Sequence, residues 1–102
     1  MATFADVENE IEIWGYGTGI IPNGKLMGQA IKTLEETTEL LDAINKNNDE
    51  EIEDAIGDIG VTLLMICAIH GKTFTQCLEK AKNVVVKRKG YLTPEGVFIK
   101  EQ

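Results

Sequence analysis

Hydrophobic residues recur along this sequence at the spacing of amphipathic helices, in segments separated by turn-forming residues. Residues 3–14 form the first such segment, and the glycine-rich stretch from Gly15 to Lys25 follows it as a predicted loop. A long helix is predicted from about Leu26 to Asn45, where one apolar stripe continues until Asn47 and Asn48 interrupt it. The first half of the chain therefore predicts two helices joined by a loop.

A third helix is predicted from about Asp49 to His70. Asn48 and Glu51 have the spacing of a capping pair at its start, and Gly71 supplies the stop. From Ile59 to the end of this helix the sequence contains no Asp, Glu, Lys or Arg. This segment is too apolar for a helix on the protein surface. This part is therefore expected to be a central, buried helix.

The last third of the chain predicts a fourth helix and a short arm. Thr73 and Gln76 form a second capping pair, and a helix is predicted from Thr75 to Lys89, where Gly90 ends it. The tail contains a Pro-Glu-Gly turn and a short apolar run, which indicates an extended arm. The fold expected from these elements is all-α and resembles a four-helix bundle, with residues 1–102 in a single domain.

Composition narrows the class of protein. The chain has 102 residues, a hydrophobic fraction of 43% and a formal net charge of -7. The acidic excess argues against a nucleic-acid partner, since that affinity comes largely from clustered Lys and Arg. No apolar run is long enough for a membrane span and the start lacks a signal-peptide pattern, so no membrane partner and a cytoplasmic location are expected. The small size favours a homodimer or homotetramer. Cys67 and Cys77 are expected to be reduced and mostly buried.

Acidic and basic residues are separated along the chain. Ten of the 17 acidic residues lie between Glu35 and Asp58, whereas six of the ten basic residues lie between Lys72 and Lys89. A short connection makes the second and third helices antiparallel, which brings the acidic faces of the two helices together. Converging carboxylates repel one another unless a cation joins them, and oxygen ligands suit Mg²⁺ or Mn²⁺. The alternative is a solvated acidic face, in which Glu51 serves only as a helix cap.

Two acidic motifs resemble the MazG-like branch of the all-α nucleoside triphosphate pyrophosphohydrolases. The segment Glu35-Glu36-Thr37-Thr38-Glu39 matches the first family motif in full, and Asp58 before the apolar helix resembles the Asp of the second. The second motif departs from the family, because Ala55 stands where a Glu is expected. Asp54 is the candidate substitute and Glu51 a further candidate ligand. The segment AKNVVVKRKGYLTPEGVFIK is similar to the tail of phage and bacterial members, so the resemblance covers roughly residues 26–100.

This resemblance implies Mg²⁺-dependent hydrolysis of a nucleoside triphosphate to a nucleoside monophosphate and pyrophosphate, by attack of a metal-activated water on the α-phosphorus. Glu35 would orient the water or bind metal. The implied catalytic carboxylates are Glu35, Glu36 and Glu39; the metal ligands are Glu36, Glu39, Asp54 and Asp58; and the phosphate-binding residues are Lys32, Asn83, Lys87, Arg88 and Lys89.

The sequence alone leaves alternatives for two residue roles and for the function of the protein. Trp14 is a candidate for stacking on a base, but its place in the apolar stripe also fits a core or subunit contact. Lys32 is as well suited to an ion pair with Glu36 one turn away as to a phosphate. A related enzyme, phosphoribosyl-ATP pyrophosphohydrolase, shares the acidic pattern. A helical interaction module whose acidic residues only bind partners is the non-enzymatic alternative.

Overall fold

The computed structural model describes residues 1–101, which contain five helices and one two-stranded sheet. No helix within these residues is both long and apolar enough to cross a bilayer. The all-α prediction is confirmed. The elements are α1 (Phe4–Thr18), α2 (Ile20–Asn23), α3 (Leu26–Asn45), α4 (Asp49–Ile69), α5 (Phe74–Val85), β1 (Gly90–Leu92) and β2 (Phe98–Lys100).

The antiparallel hairpin of α3 and α4 is the main packing unit of the chain. Both helices begin where the sequence predicts, and α4 ends one residue before its predicted limit, at the left-handed turn of Gly71. The Asn48 side chain caps α4 by accepting a hydrogen bond from the Glu51 amide at 3.1 Å. Thr33 and Thr62 join the two helices through their hydroxyl oxygens, which are 2.7 Å apart.

The glycine-rich stretch after the first helix is only in part the loop that the sequence predicts. Its first residues, Gly15 to Thr18, continue α1, whereas Ile21 within the four-residue α2 has a non-helical backbone with φ -102° and ψ 120°. Gly15 does not end α1; it is buried, and a Cβ at that position would lie 2.7 Å from the sulfur of Met65 and 2.8 Å from Cδ1 of Ile21. Its missing side chain lets α1 approach the core, and α1 ends only at Gly19, whose φ of 86° is left-handed. The short α2 then buries Ile21, so this segment belongs to the core.

The predicted fourth helix is shorter than expected. α5 ends at Val85, and Gly90 begins a strand instead of stopping a helix. The consecutive valines at the end of α5 favour extended backbone, and the run of like charges that follows, Lys87 to Lys89, gives a helix no support. The arm is an antiparallel hairpin in which Tyr91 pairs with Ile99. Among the elements of residues 1–101, this hairpin packs against no helix.

The core is small for a chain of this length. Ile21, Leu64 and Met65 form its buried cluster, with partly buried side chains such as Ile11 and Phe74 packed around it. The predicted burial of the second half of α4 is therefore confirmed. The surface of 7871 Å² exceeds the roughly 5,700 Å² expected for a compact monomer of 11.2 kDa. The radius of gyration is 15.8 Å, against about 13 Å for a compact domain of this length.

Candidate functional site

Three carboxylates converge between α3 and α4. Glu36 and Glu39 lie one turn apart on α3, and Asp58 faces them from α4. One oxygen of each carboxylate lies within 4.8 Å of the other two. Two ligands of one hard cation, each about 2.1–2.5 Å from the ion, are separated by no more than about 5 Å. The spacing of this acidic cluster (Glu36, Glu39 and Asp58) therefore suits the binding of one ion.

Glu36 is the least exposed member of the acidic cluster. One of its carboxylate oxygens, Oε2, is buried and has no hydrogen-bond partner. The pKa of Glu36 is raised, first because its protonated form can share a hydrogen bond with Glu39, then by desolvation and by the negative charges of Glu39 and Asp58; Lys32 opposes the rise. A divalent cation would satisfy the buried oxygen and relieve the repulsion, so the donor set fits a metal ion.

An acidic cavity of about 310 Å³ continues from the cluster toward the end of the hairpin. Glu39 and Asp58 line it together with the two further predicted ligands, Asp54 and Glu51. These two are exposed, and neither belongs to the group within 4.8 Å. The structure thus brings Asp54 and Glu51 to the same cavity without including them in the cluster.

The departure from the second family motif also has a structural counterpart. Ala55, which stands where the family has Glu, is 4% exposed and lies at the wall of this acidic cavity. Asp42 lines the same wall and forms an ion pair with Lys46 at 2.9 Å. Sequence reasoning assigned Asp42 no role, although it follows Glu39 by one turn on the acidic side of α3.

Glu35 lies outside the acidic cluster. Its carboxylate forms an exposed ion pair with Lys32 at 3.1 Å, a pair spaced three residues apart. The pair that the sequence left open, between Lys32 and Glu36, is replaced by this one. The ion pair raises the pKa of Lys32, chiefly through its hydrogen bond to Glu35.

A second cavity, of about 330 Å³, adjoins the acidic cluster on the side of α1. Glu36 and Asp58 line one part of it, and Trp14, Lys32 and Gln29 line another. Trp14 is 51% exposed, so its ring is available at this cavity. Gln29 is a lining residue that sequence reasoning missed, because an isolated amide in a helix carries no motif.

The predicted phosphate-binding residues of the C-terminal part lie elsewhere. Asn83 is on α5, and Lys87, Arg88 and Lys89 follow that helix, all of them exposed. Within residues 1–101, α5 packs against α4 but not against α3, and none of the four lines either cavity at the acidic cluster. One chain therefore brings the carboxylates together and leaves this basic group apart from them.

Fold and site together define an all-α protein with a carboxylate cluster that could hold a hard divalent cation. The family model of the MazG nucleotide pyrophosphohydrolase domain matches residues 29–91, which is more than half of the chain. The chain belongs to this family. The matched range contains α4 and α5, most of α3 and the whole acidic cluster. No curated protein and no solved structure gives a match.

Proposed function

We propose that this protein is a Mg²⁺-dependent nucleoside triphosphate pyrophosphohydrolase, which releases a nucleoside monophosphate and pyrophosphate. The observation that carries the proposal is the acidic cluster with its buried, unpartnered Glu36 oxygen. Membership of the MazG family supports nucleotide pyrophosphohydrolase activity in general. The cluster adds a reason for metal dependence, because a divalent cation would neutralise like charges at this spacing.

Mg²⁺ is the metal that the donor set favours, with Mn²⁺ as the second choice. All three donors are carboxylate oxygens, and Zn²⁺ would favour His or Cys. Glu36, Glu39 and Asp58 would hold the ion, with Asp54 and Glu51 available across the acidic cavity. When bound, Mg²⁺ would neutralise phosphate charge and lower the pKa of a coordinated water.

The chain's own polar groups would position the nucleotide around this centre. Trp14 offers a ring face for a base at the edge of the second cavity, and Lys32 lines the same cavity. Once Lys32 turns toward a phosphate, Glu35 loses its ion-pair partner and can accept a hydrogen bond from the attacking water. Glu35 lines neither cavity, so its proposed role as the orienting base also requires its carboxylate to turn toward the acidic cluster.

We further propose that the functional unit is a homodimer or homotetramer. The surface excess over a compact monomer is about 2,200 Å², which exceeds the roughly 800 Å² that each partner buries in a standard interface. On α3 an apolar face lies on the side opposite α4, by helical geometry. Its residues Met27, Ile31, Leu34 and Leu41 are all at least half exposed.

A second copy on this apolar face would lie next to the acidic side of α3, which occupies the adjacent part of the helix surface. That copy carries its own basic residues, Lys87, Arg88 and Lys89, whose charge complements the acidic cluster. In this arrangement the phosphate-binding group of one copy serves the carboxylates of another. The separation of acidic and basic residues along the chain would then allow each site to be completed by two copies of the chain.

The direct test is incubation with the common ribo- and deoxyribonucleoside triphosphates in the presence of Mg²⁺. Pyrophosphate and monophosphate are expected in equal amounts, and Glu39→Gln should abolish their release. Glu53→Gln is the matched control, since Glu53 is exposed on α4 and lines neither cavity. Phosphoribosyl-ATP is tested as an additional substrate. Release of pyrophosphate from this substrate alone would identify the protein as a phosphoribosyl-ATP pyrophosphohydrolase. No release from any of these substrates, with Mg²⁺ or Mn²⁺, would favour an acidic interaction module.

A further inference from the structure

The two cysteines of the chain lie side by side between α4 and α5. Their sulfur atoms are 3.9 Å apart. The chain reverses between these helices at the left-handed Gly71, so that positions separated by ten residues face each other. Because a disulfide bond is about 2.0 Å long, the two sulfur atoms need to approach by only about 2 Å to form one.

The two thiols differ in accessibility. Cys67 is 8% exposed on the inner side of α4, whereas Cys77 is exposed on α5, contrary to the expectation that both are mostly buried. Burial, the hydrogen bond with Cys77 and the negative charges of Cys77 and Glu8 raise the pKa of Cys67 to about 11. Oxidants in solution therefore react with Cys77 first, whereas Cys67 is less accessible and stays a protonated thiol.

We propose that Cys67 and Cys77 form a dithiol site that peroxides oxidise to an intramolecular disulfide between α4 and α5. In the first step the Cys77 sulfur attacks one peroxide oxygen, the O–O bond breaks, and Cys77 becomes a sulfenic acid as water leaves. In the second step the Cys67 sulfur attacks the Cys77 sulfur. The S–O bond breaks, and the departing hydroxide takes the Cys67 proton to form a second water. The two thiols thus supply the two electrons that reduce one hydrogen peroxide to two waters.

The bond would act on a helix that is otherwise loosely attached. Among the helices of residues 1–101, α5 packs along α4, and beside α1 the rings of Phe74 and Phe4 lie 6.3 Å apart. The covalent link would fix α5 at its first turns and limit the motion of the basic residues that follow it. Any effect on nucleotide turnover rests on the proposed function, whereas formation of the disulfide does not.

The test uses the full-length, reduced protein and hydrogen peroxide at a few molar equivalents. Intact mass should fall by two hydrogen atoms, both thiols should resist alkylation after denaturation, and a non-reducing digest should yield one peptide pair joined through Cys67 and Cys77. The melting temperature should rise by about 5–15 °C and return to its starting value after reduction.

Two variants distinguish disulfide formation at this dithiol site from non-specific oxidation of exposed thiols. Cys67→Ser should leave Cys77 as a sulfenic acid that dimedone traps. Cys77→Ser combined with Glu79→Cys keeps one exposed thiol on α5 but moves it around the helix, so its intramolecular disulfide should be lost. Oxidation of Cys77 to sulfinic acid with Cys67 still reduced, or disulfides formed mainly between chains, would overturn the proposal. These readouts do not depend on catalysis, so they remain decisive if the proposed enzymatic function fails.

Discussion

Contacts within the chain support the acidic hairpin of α3 and α4 much more fully than they support the basic segment. The basic segment consists of α5 and the residues Lys87 to Lys89. In the hairpin, two long helices pack along their length and bring three carboxylates to within 4.8 Å. In the basic segment, a single helix packs on α4 and an apolar groove of about 550 Å³ stays open between α5 and Phe4. The proposed metal-binding half of the site is therefore formed by contacts within one chain, and the proposed phosphate-binding half is not.

The largest expected effect lies in the acidic hairpin. Asp58→Asn removes the only cluster carboxylate on α4 and should lower kcat/KM by at least about 100-fold, because the loss of one group that stabilises charge in a transition state has this size. Steady-state pyrophosphate release measures it. Glu53→Gln on the same helix should stay within about twofold of the parent protein. Equal losses in the two variants would mean that acidity in general, and not the cluster, is required.

The next effect concerns the open apolar face of α3. Leu34→Glu places a charge at the centre of this face, where Leu34 is 67% exposed in the single chain. A charge buried at an interface without a partner prevents association, so the mass in solution should fall to that of one chain. Activity should fall at least about tenfold, if the site needs a second copy. Light scattering gives the mass, and Leu34→Met, which keeps the volume and polarity, is the control. A monomeric parent protein would refute the assembly.

The basic segment should show a smaller change, mainly in KM. Replacing Lys87 and Arg88 together by Ala removes two exposed charges and should raise KM about tenfold while kcat changes little. Lys72→Ala, another exposed cation outside this segment, is the matched control.

Mixing this double variant with Asp58→Asn protein tests which copy the basic segment serves. Mixed assemblies then contain one intact acidic cluster facing one intact basic segment. Recovery of activity above either variant alone is expected if the segment acts on a second copy. No recovery, despite subunit exchange shown by mass, would place the basic segment in the same chain's site.

The same contrast explains what the sequence could and could not predict. The starts of α3 and α4 and the end of α3 match their predictions, because the capping side chain of Asn48 and the breaks in apolar periodicity are local signals. The proximity of Glu36, Glu39 and Asp58 was predictable from the sequence, because a short connection between antiparallel helices fixes the register of the two helices.

The errors fall where distant contacts decide the structure. Gly15 is predicted to end α1, yet its position against Met65 and Ile21 makes the absence of a side chain a packing requirement. α5 ends before Lys87, because its exposed end packs against no other element within residues 1–101. The proximity of Cys67 and Cys77 depends on the turn between two helices, which their spacing alone does not reveal.

Metal binding should change stability moderately in the acidic hairpin and not in the basic segment. Millimolar Mg²⁺ should raise the melting temperature of the parent protein by about 5 °C, because a ligand that binds only the folded state stabilises it. Asp58→Asn should reduce this rise to about 1 °C or less, whereas the double variant of Lys87 and Arg88 should keep it in full. Differential scanning fluorimetry with Mg²⁺ against an equal ionic strength of NaCl separates binding from screening. An identical rise in NaCl would contradict the site.

The smallest effect is the pH dependence of the metal-free acidic cluster. The folded state raises the pKa of Glu36 above its ordinary value of 4.5, so between those two values the folded chain holds more protons than the unfolded chain. Stability contributed by this group is therefore present below pH 4.5 and is lost as pH rises through the folded pKa. Glu36→Gln removes the loss and should raise the melting temperature in EDTA by about 2–4 °C at pH 7, with no gain at pH 4. Glu53→Gln, whose side chain lines neither cavity, should change little at either pH. A gain for Glu36→Gln that is equal at both pH values would show that better packing of the amide, and not carboxylate repulsion, controls this position, and the need for a cation would lose its electrostatic basis.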